Sequence, residues 1–227
     1  MKRNTGQNSG SLKNQYTKEL TVDGKSVGKS RLRENIEAIV IAIVLALIIR
    51  SFIVQAFKIP SGSMKPTLQI GDHILVNKFI YGVKFPFSNT SIIPGTRPDR
   101  QDIVVFKYPR DPSKDYIKRV IAIEGDVVEV MNKKVFINNK PIEDPHASFT
   151  DPTYIPGPRD NYGPVRVPEN SIFVMGDNRD HSFDSRFWGF VDISALRGKA
   201  FIVYFSWDKQ SWTDIKIRWA RFGHILR

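Results

Sequence analysis

The sequence predicts a mainly β protein: an antiparallel, barrel-like β-sheet domain with a smaller β insertion, preceded by one N-terminal transmembrane helix. Three observations carry this reading. Ala38 to Ile49 is a run of twelve consecutive apolar residues. From Lys58 onward, short runs rich in β-branched and aromatic residues are punctuated by Gly, Pro, Asn and Asp, the pattern of short strands and turns. Residues 141–168 hold seven of the fourteen prolines with little periodicity, which reads as a long exposed loop.

Residues 1–34 are polar, rich in Gly, Ser, Asn and Lys, and without period, so they are expected to be a disordered tail. The anchor is placed at residues 35–57. Its uninterrupted part is shorter than the roughly twenty residues that cross a ~30 Å hydrocarbon layer. Phe52, Ile53, Val54, Ala56 and Phe57 extend it, with Arg50, Ser51 and Gln55 at the far interface, where an Arg can reach toward headgroups. A buried helix of a soluble protein is the alternative. A cleavable leader fits less well, because no small-x-small site follows and the chain continues as KIPSGSM. Lys25, Lys29, Arg31 and Arg33 precede the span, which keeps the N-terminus cytoplasmic and puts residues 58–227 outside.

The expected strands are HILVNKFI (73–80), DIVVFKY (102–108), DYIKRVIAI (115–123), DVVEVM (126–131), KVFINN (134–139), SIFVMGD (171–177) and KAFIVYFSW (199–207). DVVEVM and KVFINN form a hairpin around Asn132-Lys133, and residues 124–170 make up the insertion. The final stretch, TDIKIRWARFGHILR, mixes aromatic and basic residues, which suits either a membrane surface or packing on the sheet.

Composition narrows the chemistry. A net charge of +11 in 227 residues permits acidic lipid or nucleic acid as a partner without requiring either. No Cys is present, which excludes a disulfide framework, a thiol nucleophile and a Cys-based metal site. His73, His146, His181 and His224 show no ligand spacing, and no phosphate loop or dinucleotide fingerprint occurs. Neither metal, cofactor nor nucleic acid is therefore expected.

Three segments could carry chemistry. In IPSGSMKPTL (59–68), Pro60 and Pro66 stiffen both ends and Gly62 permits a tight backbone beside Ser63. Ser63 could attack a carbonyl, with its own N–H and the Ser61 hydroxyl available to the oxyanion; a plain turn is the alternative. In DYIKRVIAI, Tyr116, Lys118, Val120 and Ala122 share one strand face, while Ile117, Arg119, Ile121 and Ile123 share the other. Burial on both sides would desolvate Lys118, lower its pKa and leave a neutral amine able to accept a proton. An edge lysine in water is the alternative. In MGDNRDHSFDSRFWGFV (175–191), many polar groups follow an apolar strand, and if buried each needs a partner. Asp184 with Arg186 or Arg179 could pair, and Ser182 could hold an amine. Ser63, His181 and Asp184 could alternatively form a Ser-His-Asp triad.

Together these segments, with GDHILVNKF (71–79), resemble the type I signal peptidase family, within the Ser–Lys proteases that include LexA-like self-cleaving repressors. The similarity covers about residues 36–207. It implies a membrane-bound serine endopeptidase that removes signal peptides from translocated preproteins after small-x-small residues, with preprotein signal peptides and phospholipid membrane as partners. It assigns Ser63 as nucleophile, Lys118 as general base, and Ser61 with the Ser63 N–H as oxyanion donors. Ser182 would orient the lysine, Gly176 would bring backbone close to it, and Asp184, Arg186 and Arg119 would support the site. His181 stands where Asn is frequent in the family. The host would be a bacterial plasma membrane, or a thylakoid membrane. A self-cleaving repressor would need a DNA-binding module that residues 1–58 do not offer. A silent membrane-tethered β-domain binding acidic partners is the remaining alternative.

Overall fold

A computed structural model describes residues 31–48, 54–84, 91–93, 95–209 and 215–226. The chain divides into two compact units, Met1–Leu45 and Ala46–Arg227. Of the predicted tail, residues 1–34, the first thirty lie outside the described residues, and residues 31–34 are not disordered but form the first turn of a helix. Helix α1 runs from Arg31 to Ile48, and the side chains of residues 34–46 are exposed. No helix among the described residues is long and apolar enough to cross a membrane.

The expectation of a helix through residue 57 fails at its far end. Val54–Lys58 is a strand, β1, hydrogen-bonded antiparallel to β2 (Asp72–Asn77) from Val54↔Asn77 to Lys58↔His73. β-Branched and aromatic residues, Val54 and Phe57 among them, favour a pleated, half-buried surface over a helix when a partner strand is available. Residues 49–53 lie outside the described residues.

The remaining strands are β3 (Val83–Lys84), β4 (Ser91–Ile93), β5 (Ile103–Tyr108), β6 (Asp111–Ile123), β7 (Val127–Met131), β8 (Lys134–Ile137) and β9 (Lys140–Pro141). They are followed by β10 (Tyr162–Arg166), β11 (Ser171–Met175), a short helix α2 (Ser185–Trp188), β12 (Val191–Asp192), β13 (Leu196–Lys209), β14 (Ile215–Ile217) and β15 (His224–Ile225). The main sheet runs in the order β1-β2-β13-β5-β6-β11-β12, with β14 and β15 also paired to β13. All its pairings are antiparallel. Among the described residues its end strands do not pair with each other, so the sheet is open rather than a closed barrel.

A second sheet, β10-β7-β8-β9, is built within residues 127–166. Its first hairpin turns at Asn132 and Lys133, both with φ in the left-handed region, as a two-residue turn between twisted strands demands. The Pro-rich stretch is not loop throughout. Tyr162–Arg166 pairs with β7, with an irregularity where Gly163 and Pro164 interrupt the ladder. That stretch is not fully exposed either, since Asp160 is buried.

Three apolar clusters hold the sheets. One joins Ile59, Met64 and Leu68 to Ile74, Val76, Ile103 and Val203. A second joins Ile121, Phe173 and Met175 to Val128, Val130 and Ile137 of the smaller sheet. The third gathers Phe106, Tyr108, Val120, Val174 and Trp188. Strand β6 contributes to more than one of these, and consequently residues 118–122 are buried on both faces.

Candidate active site

The loop from Ile59 to Ile70 leaves β1 and returns to β2. Its base is closed by two backbone bonds, Ile59 N to Asp72 O at 2.8 Å and Gly71 N to Ile59 O at 2.9 Å. Within it, Leu68 N donates to Met64 O at 2.8 Å, and Ile59, Met64 and Leu68 anchor the loop in the first core cluster. Gly71 has φ +88°, and a side chain there would collide with the Trp207 carbonyl. Ser63 is half-buried at the loop's turn, while Ser61 is exposed.

The turn is also clamped from the C-terminal segment. Asp72 is fully buried and accepts from Gln69 N at 2.8 Å, Ser206 Oγ at 2.6 Å and Arg221 Nη2 at 2.6 Å. Burial pushes its pKa up, but these hydrogen bonds, Arg221 foremost, hold the carboxyl below its ordinary value. Arg221 also donates to the Thr67 carbonyl at 2.8 Å. Of the basic and aromatic tail, then, Arg221 packs against the serine loop, while Trp219 and Ile225 stay exposed.

Lys118 lies on β6 opposite Val104 of β5. Its Nζ is 2.7 Å from Ser63 Oγ, and the residue is only 4% exposed. Burial drives its pKa down from 10.5 to about 8; the nearby carboxylates of Asp184 and Asp177 oppose that shift and Arg186 adds to it. Arg119, the next residue, points to the other face and is fully buried. Its Nε and Nη2 donate to the two carboxylate oxygens of Asp177, each at 2.8 Å.

Strand β11 ends at Met175, opposite Arg119, and the polar segment begins there. Gly176 packs so closely that a methyl group on it would collide with the Ser63 carbonyl and with Ser182 Oγ. Its N–H donates to Asp184 Oδ2 at 3.1 Å. Asp184 caps α2 and takes two bonds from Arg186, Nε to Oδ1 at 2.8 Å and Nη2 to Oδ2 at 2.9 Å. Arg186 further donates to the carbonyls of Arg179 and Arg159, both at 2.7 Å. Arg179 pairs with Asp144 and donates to the Gly176 carbonyl at 3.1 Å. A chain of buried ion pairs thus supports the backbone around Gly176.

Ser63, Lys118, Gly176, Asp184, Arg186 and Arg119 come together as one constellation. Two expectations do not hold. Ser182 Oγ is buried beside Gly176 without a hydrogen-bond partner among the described residues, so the expected bond to the Lys118 amine is not formed. His181 is exposed, and Asp184 is engaged by Arg186 and Gly176, which removes the Ser-His-Asp arrangement. Sequence reasoning missed Asn178, whose N donates to the Ser63 carbonyl at 3.0 Å and whose Nδ2 donates to the Gly62 carbonyl at 3.3 Å. It also missed Asp177 and the Asp72–Arg221 clamp. Asp177 stands in the same polar run as Asp184, and nothing local in the sequence marked it as the partner of Arg119.

A hydroxyl in contact with a desolvated amine, on an antiparallel β scaffold, has the makings of a serine peptidase site, since an adjacent base is what makes a hydroxyl nucleophilic. The family model described as signal peptidase, peptidase S26, matches residues 32–207. A signal peptidase I of Pseudomonas fluorescens is 40% identical over 210 residues, covering 78% of this chain and 74% of the relative. One of Pseudomonas aeruginosa is 39% identical with the same coverage. One of Aquifex aeolicus is 35% identical over 229 residues, covering 77% of this chain and 85% of its own. A solved signal peptidase I of Enterococcus faecalis V583 is 27% identical, covers 46% of this chain and 97% of its own, and has a TM-score of 0.40. The chain belongs to the signal peptidase family, peptidase S26, and is a peptidase.

Proposed function

We propose that this chain cleaves N-terminal signal peptides from translocated preproteins after small-x-small residues, with Ser63 as nucleophile and Lys118 as general base. The observation that carries the proposal is the 2.7 Å approach of Lys118 Nζ to Ser63 Oγ, made by an amine that burial keeps out of water. A neutral Lys118 accepts the Ser63 proton as Oγ attacks the scissile carbonyl. The oxyanion is met by the Ser63 N–H and the exposed Ser61 hydroxyl. The ammonium then donates its proton to the departing amine, which leaves as the new N-terminus. Water attacks the acyl-enzyme carbonyl as Lys118 takes its proton; the bond to Ser63 Oγ then breaks, Lys118 returns the proton to Oγ, and the signal peptide leaves with a new C-terminal carboxyl group.

Arg119–Asp177 and Asp184–Arg186 are positioning pairs in this reading: they hold the backbone of β6 and of Gly176 and touch no reacting atom. Gly176 serves by being small.

The reading extends to location. The apolar run that starts at Ala38 anchors the chain in a bacterial plasma or thylakoid membrane as a single pass, with the N-terminus cytoplasmic. The exposed apolar side chains of residues 38–46 support this, as does the Lys/Arg excess before them.

The test uses the full chain in detergent or vesicles with a preprotein carrying an Ala-x-Ala site. Wild type should release the mature protein, and Ser63→Ala and Lys118→Met should each lose about a thousand-fold or more in rate. Equal cleavage by wild type and Ser63→Ala would overturn the proposal.

A further inference from the structure

An open cavity of about 570 Å³ lies against the serine loop. Its walls come from separate parts of the chain: Lys65 and Gln69 of the loop, Ser148 and Thr150 of the Pro-rich stretch, Asn178 after β11, and Asp208 of β13. Asn178 connects this space to Ser63, because its N–H and side-chain amide hold the carbonyls of Ser63 and Gly62. Its Oδ1 is buried without a partner among the described residues, and a buried amide oxygen without a donor is uncommon.

The walls are fixed in place. Ser148 N donates to the Asp177 carbonyl at 2.7 Å, and the Ser148 carbonyl accepts from Arg179 N at 2.9 Å. Thr150 N donates to the Asp180 carboxylate at 2.8 Å. The cavity therefore needs no folding of a loose loop to form.

Its chemistry selects an occupant. Pro66 and Ile70 give the cavity one apolar side, but its other walls are hydroxyls, amides and charges, which the small apolar side chains expected before the cut cannot use. A polar peptide segment can. We propose that the cavity receives the first residues after the scissile bond, the N-terminal end of the mature product, and that Lys65 favours an acidic side chain there. This inference rests on the cleavage reaction proposed above.

Lys65 is the charge that can act. It is two residues from Ser63, is exposed, and makes no ion pair among the described residues. Arg218 also lines the cavity but is already engaged by Gln69 Oε1 at 2.8 Å and the Trp207 carbonyl at 2.8 Å. Asp208 supplies the opposite sign on another wall, so the preference is positional: a carboxylate near Lys65 gains, and one against Asp208 loses.

The experiment measures kcat/KM for peptides identical up to the cut and carrying Asp, Lys or Ala at each of the first four positions after it. At one or more positions Asp should exceed Lys by about three- to five-fold, the size of a solvent-exposed charge interaction. Lys65→Glu should invert that ratio. An Asp-to-Lys ratio near one at every position, or a preference unchanged in Lys65→Glu, would overturn the inference while leaving the cleavage reaction standing. No product from any peptide, Ala series included, would instead overturn the reaction, and the inference with it.

Discussion

Arg119 and Asp177 form a two-pronged ion pair, 2.8 Å at each contact, with neither side chain reaching solvent. It ties β6, one residue past Lys118, to the segment one residue past Gly176. Truncating Asp177 to Ala takes the carboxylate from a guanidinium that stays charged and out of water. Such a truncation costs about 3–5 kcal/mol. Urea unfolding of the purified protein should register that loss, and replacing both residues by Leu should cost less than the single truncation. A single-variant loss under 1 kcal/mol would contradict this.

Gly176 is constrained by space, not by a special backbone angle. A methyl group there meets the Ser63 carbonyl and Ser182 Oγ. Gly176→Ala should therefore displace Ser63 relative to Lys118 and lower kcat/KM by about 100-fold, since small misplacements of reacting groups carry such penalties. Its Tm should fall far less than that of Asp177→Ala.

In the proposed reaction Lys118 sets activity against stability. Its amine titrates near 8 in the folded protein against 10.5 for an ordinary lysine. Between those values the unfolded chain binds more protons than the folded one, so stability rises with pH across that window. Below it the buried ammonium opposes folding by about 3 kcal/mol. Lys118→Met should be inactive and yet more stable than wild type at pH 7, by about 1–3 kcal/mol. The gain should shrink as pH rises toward 10.5. Denaturant melts at several pH values read this directly.

The Asp72–Arg221 clamp reaches the serine loop from the end of the chain. Arg221→Ala leaves a buried carboxylate short of its strongest donor and frees the Thr67 carbonyl. It should destabilise by about 2–4 kcal/mol and lower kcat/KM several-fold. Conservative Arg221→Lys should restore part of the stability, because a lysine cannot reproduce both contacts at once.

The strands were legible where alternation or apolar runs were strong, as in 102–108, 115–123 and 171–177, which overlap β5, β6 and β11, the last ending two residues early at Met175. The hairpin at Asn132-Lys133 was legible because two strand-like runs, DVVEVM and KVFINN, meet there with only two residues between Met131 and Lys134; Lys133, at φ +68°, carried no turn signal of its own. Val54–Lys58 was misread since its apolar residues continue a helix-like run; only β2, pairing from 15 to 23 positions downstream, makes it a strand. The hydroxyl, the amine and the Asp184–Arg186 pair were candidates in the sequence and took their roles from the family resemblance, whereas the long-range partners were not legible. Arg119 and Asp177 lie 58 positions apart, and Asp72 and Arg221 lie 149 apart. Such pairings depend on the tertiary fold, and residue type alone marks neither partner.

The central claim is that Lys118 works as a neutral amine. The most direct test is the pH dependence of kcat/KM between pH 6 and 10 for a peptide substrate that does not titrate in that range. Activity should rise on a single limb with an apparent pKa near 8, and Lys118→Arg should be inactive throughout, since its guanidinium stays charged. A profile flat from pH 6 to 10, or measurable turnover by Lys118→Arg, would contradict the account.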